Sequence, residues 1–233
     1  MNVSFPKLGL DFELDKVAFE VPFLGHPIYW YGVLIAIGFA LAFTYAILNA
    51  KRFKIEVDPL IDVVIVGLIC AILGARTYYV IFNFKGIYVP GESYSFGEII
   101  LRFVEIWNGG MAIYGGVIAA FVSGWFMCRF RKLNPWAVFD MASIGFLIGQ
   151  CVGRWGNFVN QEAFGGNYDG LLSMKGNIIS ETLYDMMKSG MDVDPKIGVH
   201  PTFLYESLWN ILGIIIIAFI FKKKNRGATD GGK

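Results

Sequence analysis

The sequence predicts an all-α membrane protein that crosses the bilayer about five times. Of its 233 residues, 55% are hydrophobic and only 17% are charged, and the mean hydropathy is +0.53. This composition is typical of membrane proteins rather than of soluble domains. A spanning helix needs roughly 20 mainly apolar residues, because each residue adds about 1.5 Å to a path of about 30 Å. Five stretches of the chain satisfy this requirement.

The five predicted spans are separated by polar connections. They run from Trp30 to Ala50, Leu60 to Phe82, Met111 to Cys128, Trp136 to Gly153, and Phe203 to Phe221. Pro59 and Pro135 stand just before the second and fourth spans. A proline is tolerated there because the first N–H groups of a helix have no partner within the helix.

Basic residues predict the orientation of the spans. They cluster in three places, which are Lys51, Arg52 and Lys54, then Arg129, Arg131 and Lys132, and finally Lys222, Lys223, Lys224 and Arg226. Lysine and arginine are retained on the cytoplasmic side of a membrane. We therefore expect the N-terminus and residues 83–110 and 155–201 outside the cell membrane, and the C-terminus in the cytoplasm.

The whole chain, residues 1–233, is predicted to form one integral-membrane domain. Residues 1–28 mix acidic and apolar residues, unlike a signal peptide, and predict a retained, amphipathic outer segment. Residues 155–201 are long enough for a small outer cap but too short for an independent enzyme domain. Residues 222–233 are predicted to form a basic cytoplasmic tail.

Several kinds of chemistry are disfavoured by the composition. A formal charge of +1 gives no support for binding nucleic acid. Cys70, Cys128 and Cys151 all lie in apolar runs, which indicates buried side chains rather than a disulfide framework or a catalytic thiol. The histidines, His26 and His200, do not form a metal-binding spacing, and no nucleotide-binding loop follows a strand. The sequence predicts no metal site and no cofactor.

Charged and aromatic residues are predicted to converge at the outer ends of the spans. Arg76 lies about 17 residues into the second span, so about 25 Å of rise brings it near the outer boundary, and Arg154 ends the fourth span at that level. A charge at membrane depth is costly and usually has a partner or a function. Other polar residues at this level are Tyr29, Trp30, Tyr31, Tyr114, His200, Tyr205 and Glu206.

Two interpretations of this level are open. One is an aromatic belt with arginines that extend to the interface, which we favour for Tyr29, Trp30 and Trp107. The other is a binding site, which residues 153–162 favour, since GRWGNFVNQE places a guanidinium, amides and a carboxylate at one apolar helix end. A guanidinium suits phosphate oxygens, amides hold hydroxyl groups, and glycines let the backbone approach a ligand. The predicted ligand is a phospholipid headgroup of the outer leaflet.

A second glycine cluster interrupts the start of the third span. Residues 108–116 read NGGMAIYGG, and their glycines either allow close helix packing or surround a ligand. The packing alternative stays open for Gly115 and Gly116. Tyr114, which glycine follows at the outer interface, is a candidate substrate contact.

The chain resembles the prolipoprotein diacylglyceryl transferase family over nearly its whole length. Residues 153–162 are similar to the family signature, and the other family motifs follow the same order: residues 29–32 (YWYG), 74–76 (GAR) with Tyr78 and Tyr79, 106–110 (IWNGG) and 200–206 (HPTFLYE). The resemblance implies a multi-pass enzyme of the bacterial cell membrane with its active site at the outer leaflet. It also implies transfer of diacylglycerol from phosphatidylglycerol to the lipobox cysteine of prolipoprotein signal peptides, which leaves a thioether and glycerol 1-phosphate.

Site residues follow from this resemblance together with the chemistry that the reaction requires. A departing phosphate needs preorganised positive charge, and a thiol needs a base, because only the thiolate attacks well. The catalytic candidates are Arg154, Tyr114, Glu162 and Glu206. The substrate-binding candidates are Arg154, Asn157, Asn160, Tyr31, Arg76, His200 and Tyr205.

The sequence departs from the family pattern at two points. Tyr114 stands where the family usually has a histidine that is given the role of base. Tyrosine phenols lose their proton only at about pH 10, so Tyr114 is expected to orient the headgroup, and Glu162, Glu206 and His200 are candidates for the base. Family members also continue into a further helix with a tyrosine, two arginines and a glutamate, whereas this sequence stops at Lys233. If the chain is naturally this short, we expect weak lipid binding and poor transfer.

Other functions remain as alternatives. An inactive lipid-binding fragment follows from the second departure. A membrane transporter for an anionic solute would place its polar site near the midplane on broken helices, whereas here the polar groups cluster at the outer boundary. An intramembrane protease would need a serine with a base or paired aspartates, and Asp62 and Asp140 instead lie near helix starts, where acidic residues favour the helix dipole.

Overall fold

The computed structural model describes residues 1–20, 27–88, 94–105 and 109–230, excluding the side chains of Lys85 and of residues 221–230. His26, Trp107 and Asn108, which the sequence analysis names, lie outside the described residues. Helices dominate the fold, and five of those described are long and apolar enough to cross a membrane. The predicted fold class is therefore confirmed, while the orientation of the spans stays a prediction.

The five long helices occupy the predicted positions, and their ends differ from the predicted ones by up to nine residues. They are α1 (Trp30–Asn49), α2 (Val57–Phe82), α5 (Ile113–Phe130), α6 (Pro135–Asn160) and α8 (Thr202–Asp230). Helix α2 begins three residues earlier than expected, with Pro59 in its first turn. Helix α5 begins later than expected because Gly109 and Gly110 adopt left-handed backbone conformations, with φ of 81° and 76°.

The fourth and fifth spans extend furthest past their predicted ends, because α6 continues to Asn160 rather than Gly153 and α8 continues to Asp230 rather than Phe221. The extension of α6 brings a polar helix end into the fold. The last two turns of α6 are amphipathic. Phe158 is buried and stacks near Phe203, with 4.6 Å between ring centroids, whereas polar side chains occupy the other face. Packing of this apolar face against α8 extends the helix past the end of the hydrophobic run, so Arg154 lies within the helix.

Short strands form where the sequence analysis predicts only an amphipathic segment. They are β1 (Asn2–Phe5), β2 (Leu10–Glu13), β3 (Val17–Glu20) and β4 (Pro27–Tyr29), with β5 (Lys175–Gly176) further along the chain. Strand β1 pairs antiparallel with both β2 and β5. Val3 and Phe5 are buried while Asn2 and Ser4 are not, and this alternation is the sequence signal of a half-buried strand.

The chain divides into two compact units. Unit 1 comprises residues 1–46 and 142–233, and unit 2 comprises residues 47–141. Unit 1 contains a small apolar core to which β1, the end of α6, the start of α8 and helix α7 (Asn177–Lys188) contribute side chains. Its buried members are Val3, Phe5, Phe158, Met174, Ile179, Leu183, Val199 and Phe203.

Unit 2 is built on the pairing of α2 with α5. Gly74 of α2 and Gly115 of α5 face each other so closely that a Cβ on either would overlap the backbone of the other. Small residues at a helix contact allow this approach and the dispersion contacts that come with it. The packing alternative for Gly115 is thus confirmed. At the far end of the same pair, Arg131 and Asp62 form an ion pair of 2.8 Å.

Replacing Gly115 by alanine is expected to lower the melting temperature in detergent micelles, because the new Cβ would overlap the Gly74 carbonyl oxygen and the Cβ of Tyr78. Overpacking of this kind costs roughly 1–3 kcal/mol. Gly67→Ala, on α2, is the matched control, since a Cβ at Gly67 meets nothing within 4 Å. Equal melting temperatures for the two variants would show that the close approach does not contribute to stability.

Candidate active site

A chain of polar contacts links the end of α6 to the start of α8 in unit 1. Arg154 forms an ion pair through Nη2 with Glu206, and its Nη1 donates to Asn157 Oδ1 at 3.4 Å. Asn157 Nδ2 donates to Glu162 Oε1 at 3.0 Å, and Asn160 Nδ2 donates to the same oxygen at 3.3 Å. We call these five residues the Arg154 network. The structure thus brings together five of the predicted site residues.

Local backbone geometry explains how closely spaced residues form this network. Arg154 and Asn157 are three residues apart on α6, so they share a face of the helix. After Asn160 the chain turns sharply, because Gln161 adopts a left-handed conformation with φ of 56°. The Glu162 N–H then donates to the Asn157 carbonyl at 3.0 Å, which returns the Glu162 carboxylate to the helix end.

Gln161 holds this turn in place, a role that the sequence analysis does not predict. Its side chain is 1% exposed, accepts from the backbone N–H of Ile178 at 3.0 Å and donates to the Asn2 carbonyl at 3.4 Å. It therefore links the end of α6 to the start of α7 and to β1. A glutamine that follows a polar helix end is a weak sequence signal, since only the tertiary structure shows that it is buried.

Ser207 fixes α8 against α6 beside the ion pair. Its hydroxyl donates to the Cys151 carbonyl at 2.9 Å and accepts from Trp155 Nε1 at 3.2 Å. Ser207 is buried, and Trp155 also packs edge-on against Phe203 with 5.4 Å between centroids. Because Glu206 precedes Ser207, these contacts hold the Glu206 carboxylate towards Arg154. In the sequence, the only sign of this role is a single serine in an apolar span, and the sequence analysis does not predict it.

Arg154 combines fixed position with partial exposure. Its side chain is 27% exposed and that of Glu206 is 44% exposed. A guanidinium has five N–H donors, and the contacts of the described residues use only two of them. The remaining donors suit a phosphate group, which a planar fork binds through two parallel hydrogen bonds.

His200 lies in a second cluster of unit 1, between two tyrosines. Its Nδ1 is 3.2 Å from Tyr205 Oη, and its ring stacks on Tyr168 with 4.0 Å between centroids. Backbone hydrogen bonds with Gly165 and Gly166 fix the position of His200 in the segment before α8. The structure therefore brings the predicted residues His200 and Tyr205 together and adds Tyr168, which the sequence analysis misses.

Tyr31 lies against the end of α6. A Cβ on the buried Gly156 would contact the Tyr31 ring, so glycine is required for this approach. Gly156 lies between Arg154 and Asn157 in sequence, and the ring therefore packs on the helix turn that carries both. The proximity of Tyr31 to the Arg154 network is an expectation of the sequence analysis that this contact supports.

Arg76, in unit 2, is used differently from Arg154. It is 6% exposed, and its guanidinium donates to four backbone carbonyls, those of Arg102 (2.6 Å), Phe103 (2.8 Å), Gly109 (2.8 Å) and Gly110 (2.9 Å). Four of its five N–H donors are thereby engaged. This geometry gives Arg76 a structural role in the connection between α2 and α5, and its predicted substrate contact stays a prediction.

Tyr114 also belongs to unit 2. It lies in the first turn of α5 as predicted, is 70% exposed, and has its ring 6.5 Å from that of Tyr78. The expectation that both arginines and Tyr114 lie in one plane relates the two units to each other and stays a prediction.

Among the described residues, no three side chains of His, Cys, Asp or Glu come together as a metal site would require.

Known proteins with similar sequences are transferases. The profile of the family described as prolipoprotein diacylglyceryl transferase matches residues 16–232. The phosphatidylglycerol–prolipoprotein diacylglyceryl transferase of Clostridium novyi is 42% identical over 210 residues, which are 90% of this chain and 74% of the relative. The enzymes of the same name from Bacillus mycoides and Streptococcus equi subsp. equi are 38% and 36% identical over 92% and 94% of this chain, and over 73% and 76% of their own lengths.

The different uses of the two arginines lead to a prediction about stability. Arg76→Lys is expected to lower the free energy of unfolding by more than about 2 kcal/mol, since a buried carbonyl that loses its donor costs roughly 1–3 kcal/mol. Glu206→Gln, which removes a partly exposed ion pair, is expected to cost under about 1 kcal/mol. Denaturant unfolding of both variants in the same detergent measures the difference. If Glu206→Gln lowers the free energy of unfolding more than Arg76→Lys does, the structural role assigned to Arg76 is refuted.

Proposed function

The chain belongs to the prolipoprotein diacylglyceryl transferase family, and we propose that the Arg154 network forms the part of its active site that holds the phosphate of the lipid substrate. The chain is a multi-pass membrane enzyme of the first step of lipoprotein maturation, with the activity that names its relatives: transfer of a diacylglyceryl group from phosphatidylglycerol to a prolipoprotein. Family membership over nearly the whole chain favours this activity over a transporter.

The reaction makes two demands on the protein. The sulfur of the lipobox cysteine attacks the glyceryl carbon that bears the phosphate, a C–S bond forms, and the C–O bond to the phosphate breaks. The thiol proton passes to a base, and the electron pair of the broken bond leaves with glycerol 1-phosphate. The protein therefore has to stabilise charge on the departing phosphate and to accept a proton from sulfur.

Arg154 meets the first demand, and its geometry is the observation that carries the proposal. The guanidinium is held by Glu206 and Asn157 and remains partly exposed, with donors that the described contacts leave unused. A preorganised cation in a partly apolar site stabilises developing phosphate charge without reorganisation during the reaction. Glu206 acts in this scheme by orienting Arg154.

The amides of the network suit the rest of the headgroup. Asn157 and Asn160 both donate to Glu162, so the carboxylate and the two amides form one hydrogen-bonded group beside Arg154. The glycerol headgroup of phosphatidylglycerol carries hydroxyls that both donate and accept hydrogen bonds. We assign the recognition of these hydroxyls to Asn157, Asn160 and Glu162.

His200 is the best supported base among the three candidates. The Glu162 carboxylate accepts two amide N–H groups and the Glu206 carboxylate pairs with Arg154, so a proton on either carboxylate would weaken an existing charge-assisted contact. When His200 Nδ1–H donates to Tyr205 Oη, Nε2 carries a lone pair that no hydrogen bond within the described part of the chain engages. Tyr168 and Tyr205 would then hold the ring in the orientation that the thiol requires.

The proposed location of the active site is the outer leaflet of the bacterial cell membrane. The basic connections after α1 and α5 support this orientation, since they would be retained in the cytoplasm. The Arg154 network lies at the opposite end of α6 from the connection that contains Arg131 and Lys132. In this arrangement residues 1–28 and 155–201 are outside, the C-terminus is cytoplasmic, and the lipobox cysteine reaches the site from the outer face.

Removing the Arg154 guanidinium tests the assignment of the phosphate site. Transfer from labelled phosphatidylglycerol to a lipobox peptide, measured in membranes, is expected to fall about 10²–10³-fold in Arg154→Ala, because one preorganised charge contact in a transition state contributes about that much. Arg154→Lys should restore part of the loss, since it keeps the charge without the fork. Arg129→Ala is the control. Transfer by Arg154→Ala at the rate of the control would refute the assignment.

The base is tested by a pH profile. In His200→Gln, kcat is expected to be low at pH 7 and to rise steeply towards pH 9, because free thiols ionise at about pH 8.5 and the substrate then needs no base. The KM for phosphatidylglycerol should stay unchanged. Glu162→Gln serves as the contrast, with a raised KM and the pH profile of the unmodified chain. A uniform loss of kcat at all pH values in His200→Gln would exclude proton transfer to His200.

A further inference from the structure

A short amphipathic helix in unit 2 exposes apolar side chains on one face. Helix α4 (Phe96–Val104) follows α3 (Phe84–Ile87) in the connection between α2 and α5. Phe96, Ile100 and Val104 are 79%, 47% and 45% exposed. They recur every four residues, so they lie on one face of the helix. At about 1.5 Å per residue, nine residues cover roughly 14 Å, too little to cross a bilayer.

The polar side of α4 is held by contacts within the protein. Ser95 and Glu98 form a capping box at its start, with the Ser95 N–H donating to Glu98 Oε2 at 2.7 Å. The Ser95 backbone N–H, and then its side chain, hold the pKa of Glu98 below its usual range. Arg102 donates to the Ile87 carbonyl at 2.9 Å, and its guanidinium lies 4.6 Å from the Tyr94 ring centroid. The charged residues of α4 are thus engaged locally.

Arg76 fixes the level of α4 along α2. Its guanidinium binds the carbonyls of Arg102 and Phe103, at the end of α4. Arg76 is 19 residues after Val57, the first residue of α2, which is about 28 Å along the helix axis. The end of α4 therefore lies close to one boundary of a bilayer that α2 spans. Phe82, near the same end of α2, is 73% exposed, so apolar surface continues along α2 at this level.

We propose that α4 is an interfacial helix whose Phe96–Ile100–Val104 face rests in the headgroup region of the membrane. Helices with this amphipathic pattern lie in the interface plane with their apolar face a few ångströms below the headgroups. The lipid surface is the occupant that the position of α4 favours, because Arg76 ties the helix to the end of a spanning helix. Anionic lipid contributes little to this contact, since Arg102 is engaged by Ile87 and Tyr94.

Nitroxide labels on α4 test the proposal without reference to catalysis. The full chain with Cys70→Ala, Cys128→Ala and Cys151→Ala is labelled at Ile100→Cys or, as the matched control on the polar side, at Glu98→Cys. It is reconstituted in phosphatidylcholine vesicles with or without phosphatidylglycerol. At residue 100 we expect collisions with oxygen to exceed those with a water-soluble nickel complex several-fold, and at residue 98 the reverse. The pattern should be the same in both kinds of vesicle.

Two results would overturn the proposal. Equal access of the nickel complex to both labels would place the face in water. Shielding of the residue 100 label from both reagents would place it in a protein contact, and spin–spin broadening that disappears on dilution with unlabelled chain would identify a second copy as the partner. Membrane insertion of each labelled chain is verified first, and a label at Val104→Cys repeats the measurement one helical turn away if the Ile100 variant fails to insert.

Discussion

The free-energy cost of placing a guanidinium among apolar helices determines how both units of this protein are built around their arginines. A charge at membrane depth has to be satisfied by partners, because lipid offers none. Arg76 solves the problem with main-chain oxygens and thereby fixes the connection between α2 and α5. Arg154 solves it with side chains at a helix end, through Glu206 and Asn157. The two solutions give the arginines different capacities, since Arg76 is buried with four of its five N–H donors engaged, whereas Arg154 is partly exposed with only two engaged by the described residues.

The remainder of unit 1 supports the second solution. Ser207 holds α8 in the position that presents Glu206, and Gln161 holds the turn that returns Glu162 to the end of α6. Both side chains are buried and hydrogen-bonded to backbone, so they define positions with little freedom. The small sheet and the apolar core around Phe158 keep the Arg154 end of α6 helical beyond its hydrophobic run. The Arg154 network thus depends on the small sheet and the apolar core beside it.

Sequence reasoning succeeded for elements whose physical signal is local. The five spans follow from length and hydropathy, because the thickness of the bilayer imposes both. The Arg154 network is local in part, since Arg154, Asn157, Asn160 and Glu162 lie within nine residues. The strands of the first 29 residues were missed, because alternation over four residues is a weak signal and β1 gains part of its stability from pairing with the distant β5. The end of α6 was placed too early because packing, not hydropathy, extends it.

The sequence by itself determined the number of spans, the family and most residues of the candidate site, because composition, periodicity and motif are carried by side-chain identity. Only the tertiary structure decided which residues meet: Glu206 with Arg154, His200 with Tyr168, and Arg76 with four carbonyls. The reason is physical. Every residue has a carbonyl, so the sequence cannot show which carbonyls accept from a given arginine, and contacts between distant segments arise only when helices pack in a particular register.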